Sequence, residues 1–373
     1  MSRRPAAALV AGVLSGLVLA GCASRPSSPV AFLREAWRDY VDVYVAPAGY
    51  VLDRTRGGGE VVSEAQGYAL LRAAWIGDAD TFDRVFAWTE RTLRRPDGLY
   101  SWRWTPADGG RVLDANTATD ADQEIALALV LAARFLDRPW LTARAAELLR
   151  AIRAHEAIDV AGGWLPAAGN WAVGDRVVNP SYFLPYAYPA FAPLDPTDDW
   201  PAALDAGYRL LAAIRAQPGA SLPPDFVVVE ADGAVAPLPA WSTLGRDFSF
   251  DAMRLWFRVA VDCRLTARAA ACADPLDVAG VAARLARGEP PPTRSAPDGT
   301  PRTSDTSLSF LGSLLPALDL VAPDVAARVR SGPLSPAALR PILRAPDRYY
   351  DLNWVWFGLA VAQGFPFTPC PTS

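Results

Sequence analysis

The chain has no lysine. All its basic side chains are arginine, and His155 is the one histidine in 373 residues. Without lysine there is no phosphate-loop lysine, no Schiff base and no lysine general base. One histidine cannot build a histidine-rich zinc site, and His155 stands in RAHEAIDV, at what reads as the exposed end of a helix. Four cysteines at wide spacing make no metal-ligand pattern either. Asp78-Ala79-Asp80 lacks the Gly and the terminal Glu of a calcium loop. Neither a metal nor a cofactor is expected, and acid–base chemistry falls to Asp, Glu and Tyr. The net charge of -4, with no basic stripe, argues against a nucleic-acid partner.

The apolar run at the start, MSRRPAAALVAGVLSGLVLAGC, follows Arg3 and Arg4 and is short and small-residued for a spanning helix. Ending on LAGC, it resembles a bacterial lipoprotein signal. That implies a signal peptide over 1–21, a lipid anchor at Cys22, a tether over 22–30 and a periplasmic body held at the membrane. Ala23 and Ser24 follow Cys22 with no Asp, which resembles lipoproteins sorted to the outer membrane. In an oxidising compartment Cys263 and Cys272 are near enough to bridge, with the free pair as the alternative. Cys370 reads as free, in a tail over 368–373.

Apolar periodicity predicts helices at Ala31 to Tyr44, Glu64 to Ile76, Ala79 to Leu93, Asp120 to Leu136, Leu141 to Ala154, Trp200 to Ala216, Asp251 to Asp262, Asp277 to Arg287, Asp305 to Val321 and Asn353 to Gly364. Shorter pieces are expected near Tyr182 and Leu334. Wholly apolar helices alternate with amphipathic ones, as ALALVLAARFL is followed by LTARAAELLRAIRA. That pattern suits an all-α array, an inner ring wrapped by an outer one. One passage, DFVVVEADGAVAPL, reads as strands around an Asp232-Gly233 turn. The Pro-rich stretch from Arg287 to Asp305 reads as a surface loop inside one domain.

Three carboxylates stand at the mouths of apolar helices. Glu64 follows Ser63 in SEAQ, where Ser63 and Gln66 fit a capping box that leaves Glu64 unexplained. Asp120 opens TDADQEIALALVLAARF after a possible Thr119 cap, and Asp251 follows Ser249 with Arg254 one turn on. Negative charge suits a helix N-terminus, and a surface pair of Asp251 with Arg254 is the bland alternative. If the helices form one ring and run the same way, the three acids meet at one end.

SEAQGYALL, ATDADQEIALALVLAARF, NPSYFLPYAYPAFA, FDAMR and YYDLNWVWFGLA, with DGLYSWRW and PDFVVVEADG, resemble the successive landmarks of glycoside hydrolase family 8 in that family's order, from about 31 to 367. The resemblance implies an (α/α)6 barrel over 31–367 with a small β-hairpin insertion. It also implies an inverting, endo-acting hydrolase of β-1,4-linked glucan. The family includes the periplasmic enzyme that accompanies cellulose synthase, so the cellulose-synthesis machinery is an implied partner, and it also includes chitosanases and xylanases. By similarity Glu64 takes the position of the general acid, Asp251 that of the base, and Asp120 that of the residue holding the distorted sugar, while Asp122 is structural. The resemblance makes Trp102 and Trp171 sugar platforms, and places Tyr349 or Tyr350 near the reacting sugar and Arg254 beside the base. Tyr182 either lines the cleft or closes the barrel. Ala65 replaces a Gly and Phe250 a Tyr found in many members.

Inverting hydrolysis needs one protonated and one ionised carboxyl about 6.5–9.5 Å apart. A helix N-terminus favours the ionised form, so Glu64 as an acid requires burial and the nearby Asp120 to raise its pKa. Aromatic rings covering the C–H face of a pyranose suit the many Trp in loops, although each is equally readable as core. A non-catalytic glucan-binding lipoprotein is the rival reading.

Overall fold

The structure is a computed structural model that describes residues 28–55, 59–266 and 276–371. The segment 1–21 expected to be a signal, Cys22 expected to be an anchor, the expected tether as far as residue 27, and Cys272 lie outside the described residues. The described helices are α1 (Ser28–Tyr44), α2 (Ser63–Ile76), α3 (Ala79–Thr92), α4 (Thr119–Phe135), α5 (Leu141–His155), α6 (Tyr188–Phe191), α7 (Trp200–Arg215), α8 (Arg254–Thr266), α9 (Val278–Ala286), α10 (Leu308–Val321), α11 (Pro323–Ser331), α12 (Pro336–Leu339) and α13 (Tyr349–Val361). None is long and apolar enough to cross a membrane.

The helices build an (α/α)6 barrel. Its inner ring is α2, α4, the short segment 180–191, α8, α10 and α13, and α1, α3, α5, α7, α9 and α11 wrap it. Burial follows composition: α2 and α13 are apolar on every side and almost wholly buried, whereas α3 and α5 bury one stripe. The ring closes between α2 and α13, where Tyr68 meets Trp354 and Phe357 edge-on and Trp75 meets Trp356. Arg72, buried between Trp37, Tyr40 and Trp356, ties α2 to α13 through Asn353 Oδ1 at 2.9 Å. Between α10 and α13 the backbones touch, because Gly312 and Gly358 face each other without side chains.

Several expected caps do not form. Ser63 and Thr119 are already the first residues of their helices, and the cap positions fall to Val62 and Ala118, which have no oxygen to offer. Gln66 instead accepts from Val51 N (2.7 Å) and donates to Thr89 Oγ1 (2.8 Å) inside the core. Helix α8 starts at Arg254, not Asp251, because Asp225 takes up the N–H groups of Ser249 and Ala252 and holds this stretch as a turn. Helix α13 starts at Tyr349, before the expected Asn353. The piece near Leu334 is two helices, α11 opened by Pro323 and α12 opened by Pro336.

Strand content exceeds the one expected hairpin. β1 (Val61–Val62), β2 (Arg103–Thr105) and β3 (Arg111–Asp114) form one antiparallel sheet, and β4 (Ala157–Val160) pairs with β5 (Gly163–Pro166). The expected hairpin is β7 (Val227–Val229) and β8 (Val235–Ala236), with Gly233 at φ +88° in its turn and β6 (Val177–Val178) on its other edge. Strands of two to four residues are too short to show a period of two in the sequence. All three sheets lie in the links that enter or leave inner-ring helices, so they shape the rim of the barrel.

Cys263 is disulfide-bonded, and its partner lies outside the described residues. Cys370 is free and buried, with its N–H on Trp75 O, so the end of the chain to Pro371 packs on the barrel.

Candidate active site

The inner helices run the same way, and the N-terminal ends of α2, α4 and α8 meet at a cavity of about 440 Å³. Glu64, Asp120 and Asp251 all face it, with Trp102, Trp171 and Tyr182 on its walls. A larger cavity of about 990 Å³ lies at the other ends of α8, α10 and α13, around Phe32, Cys263, Leu320 and Leu359. Its charged lining residues are Arg264, Asp319 and Arg330, and these pair with one another. The chemistry is therefore sought at the smaller one.

Arg254 joins the three acids. Its Nη1 donates to Glu64 Oε2 (2.5 Å) and Asp120 Oδ2 (2.7 Å), its Nη2 donates to Asp251 Oδ1, and its Nε donates to the Asp251 carbonyl (3.0 Å). The guanidinium sits 5.2 Å from the centre of the Tyr182 ring. Arg254 and Asp120 are 1% exposed, so the contact of Asp251 with Arg254 is no surface pair. The side chain of Glu64 is 19% exposed and that of Asp251 is 37% exposed, which leaves both open to the cavity. Because Glu64 and Asp251 occupy adjacent nitrogens of one planar guanidinium, their bound oxygens span roughly 7 Å at most. Asp120 Oδ1 has no protein hydrogen-bond partner among the described residues.

Burial drives the Glu64 carboxyl up to about 7; Arg254 opposes this, and the negative charges of Asp120 and Asp251 add to it. The direction is the one a proton donor at a helix N-terminus requires. Burial also raises Asp251, with Arg254 pulling the other way, and its solvent access limits the first effect.

Of the aromatic residues, Trp102 and Trp171 line the cavity, and Trp171 is 40% exposed. Trp104 and Trp164 are core, and Trp241 is exposed outside the cavity. Tyr350 stands beside the site, its hydroxyl donating to Phe250 O at 2.7 Å. Tyr349 is buried behind the cavity wall, edge-on to Tyr44. Phe250 packs edge-on against Tyr350 and Phe310.

Apart from Asp122, read as structural, the sequence reading missed the layer beneath the site. Glu124 and Arg258 form a buried ion pair at 2.5 Å, one turn below Asp120 and Arg254. Glu156 accepts from the Thr117 hydroxyl, and Asp122 accepts from Tyr100 N at 3.1 Å. Asp225 holds the turn carrying Asp251. The i, i+4 spacing of Asp120 with Glu124 and of Arg254 with Arg258 was the available signal.

A model of glycosyl hydrolases family 8 matches residues 10–274. The chain is 32% identical to an endoglucanase of Cellulomonas uda over 61% of this chain and 63% of that protein. It is 34% identical to a probable endoglucanase of Novacetimonas hansenii over 59% of this chain and 65% of that one. The matched segments thus span less than two thirds of either relative. Among solved structures, the endo-β-1,4-glucanase CMCax from Acetobacter xylinum superposes with a TM-score of 0.72 at 26% identity, covering 90% of this chain and 99% of that one.

Proposed function

The chain belongs to glycosyl hydrolases family 8, and from that premise we propose that it cleaves β-1,4-linked glucan internally with inversion at the anomeric carbon. The observation that carries the reading is the meeting of Glu64, Asp120 and Asp251 on one buried arginine at an open cavity. Arg254 occupies Glu64 Oε2, which leaves Oε1 to carry the proton. In the reaction Glu64 protonates the glycosidic oxygen as its bond to the anomeric carbon breaks. A water attacks that carbon from the opposite face and gives its proton to Asp251. Asp120, on the cavity wall and held by Arg254, accepts from a hydroxyl of the bound sugar. Trp102 and Trp171 cover flanking sugar faces.

Reducing-sugar release from carboxymethyl cellulose tests this, with proton NMR of the first product to read the anomer. Wild type is expected to release sugar with initial formation of the inverted anomer, and Glu64→Gln and Asp251→Asn to lose at least about 1,000-fold while staying folded. Retention on cellulose without sugar release would instead make the protein a glucan-binding lipoprotein. Faster turnover of chitosan or xylan would move the substrate.

We also propose that Cys22 is acylated and holds the barrel at a periplasmic membrane surface, a reading supported by the LAGC ending of the apolar run. Radiolabelled palmitate incorporation that disappears in Cys22→Ala tests it.

A further inference from the structure

We infer that Asp225 is the positioning residue of Asp251, fixing the turn that presents the base to the cavity; this rests on the reading of Asp251 as the base. Asp225 is 4% exposed and does not line the cavity, so it touches no sugar. Its Oδ1 accepts the N–H groups of Ser249 (3.0 Å) and Ala252 (2.9 Å), and its Oδ2 accepts the Ser249 hydroxyl. These donors bracket Asp251 on both sides along the chain. The two N–H groups share one carboxylate oxygen and the Ser249 hydroxyl takes the other, so a side chain without an oxygen, such as Ala, loses all three bonds. Without these bonds the Ser249 and Ala252 N–H groups, which lie ahead of α8 and have no acceptor within it, are left unpaired, and the turn that presents Asp251 loses its anchor.

Asp225 is itself rigidly placed. Its N–H donates to Asp247 O (2.8 Å), Phe226 N donates to Gly245 O (3.1 Å), and Phe248 exchanges both backbone bonds with Ser295 (2.8 and 3.0 Å). Asp247 is paired with Arg294 and Arg302, so the Pro-rich loop from 287 to 305 buttresses the segment that carries the base. A Cβ on Gly245 would lie 2.7 Å from Asp225 Oδ2, so only glycine leaves room for the carboxylate. The base is thus held twice, by Arg254 at its carboxylate and by Asp225 through its backbone. Burial lifts Asp225 to about 6, and the charge of Asp251 adds to the rise. The two acids therefore titrate together on the acid side.

The test compares wild type, Asp225→Ala and Gly245→Ala as full chains on soluble glucan, with thermal unfolding as a control. Both variants are expected to lose kcat by about 10- to 100-fold with KM within about twofold, the cost of misplacing a reacting group. In Asp225→Ala the acid limb of the kcat profile moves to lower pH, because the carboxyl that protonates at about pH 6 is gone; in Gly245→Ala that carboxyl remains and the limb shifts less. A residue serving stability alone would lower the unfolding temperature and leave the limb in place. Folded Asp225→Ala with kcat within about threefold of wild type and an unmoved limb overturns the proposal while leaving the assigned function standing. Absence of turnover in wild type overturns both.

Discussion

Arg254 holds Nη1 2.7 Å from Asp120 Oδ2, and both side chains are 1% exposed. A fully buried pair of this kind matters most when one member is removed, because the other is left as an uncompensated charge. Arg254→Met is therefore expected to cost about 3–5 kcal/mol in urea unfolding at pH 7. Arg254→Lys keeps the charge but cannot span three carboxylates, so it should recover part of the stability and little of the activity. Equal stability of Arg254→Met and wild type would show that this buried contact adds nothing to the stability of the fold.

As the proposed proton donor, Glu64 should set the alkaline limit of activity. Its carboxyl is raised to about 7, first by burial and then, against Arg254, by Asp120 and Asp251. A proton donor works only below its pKa, so kcat/KM on soluble glucan should fall with a limb near pH 7. A profile flat to pH 9 would mean that Glu64 is not the donor or does not feel these charges.

The ring of helices was legible because wholly apolar segments such as ALALVLAARFL can only be buried, and the amphipathic ones beside them can only cover. Glu64 and Asp120 were legible because each stands in the first turn of such a segment, and Asp251 because it stands in the turn just before α8. Caps were less so: Ser63, Thr119 and Ser249 have capping side chains, yet strand β1, the extended Ala118 and the Asp225 carboxylate decide those helix starts. Arg254 was placed beside Asp251 in the reading, but its contacts with Glu64 and Asp120 cross 190 and 134 residues, which no local pattern records. Asp225 was hidden for the same reason.

Beneath Asp120, Asp122 and Glu156 form an acid pair that disfavours high pH. Burial raises Asp122 well above the carboxylate range, with Glu156 adding, and raises Glu156 to about 7. A carboxyl raised on folding binds its proton more tightly in the folded state, so its stabilising contribution is complete below about pH 4.5 and is lost as pH rises towards 7. Glu156→Gln, a neutral stand-in, should therefore unfold at a higher temperature relative to wild type at pH 8.5 than at pH 5. A difference that does not change with pH would show that the pair does not share a proton.

Trp171 and Trp102 should separate in kinetics. Trp171 is 40% exposed, and Gly169 beside it admits no Cβ, which would fall 2.6 Å from the indole Nε1. The Trp102 side chain is half-buried, packed against the core and 5.7 Å from the Arg103 guanidinium. Trp171→Ala removes a ring face worth about 0.5–1.5 kcal/mol and should raise KM up to about tenfold with kcat and unfolding temperature nearly unchanged. Trp102→Ala should lower both kcat and stability. Identical behaviour of the two would deny Trp171 a sugar-facing role.

The sharpest packing test lies away from the chemistry, where α10 and α13 touch. A Cβ on Gly358 would stand 2.1 Å from Gly312 O, and one on Gly312 would meet the Trp354–Val355 peptide at 2.5 Å. The clash is with backbone on both sides, so no rotamer change relieves it, and the helices must separate. Separation would loosen Phe310, Leu314 and Trp354, which are buried in the same core. Overpacking of this kind costs typically about 1–3 kcal/mol and more where backbone is the obstacle, so Gly358→Ala should lower the urea midpoint well beyond what its favourable helix propensity returns. Since α13 also carries Tyr350, whose hydroxyl holds the Phe250 carbonyl next to Asp251, the folded fraction should lose kcat as well. A Gly358→Ala protein with wild-type midpoint and wild-type kcat would mean that these helices have room to spare, and that the tightness of the barrel wall does not reach the site.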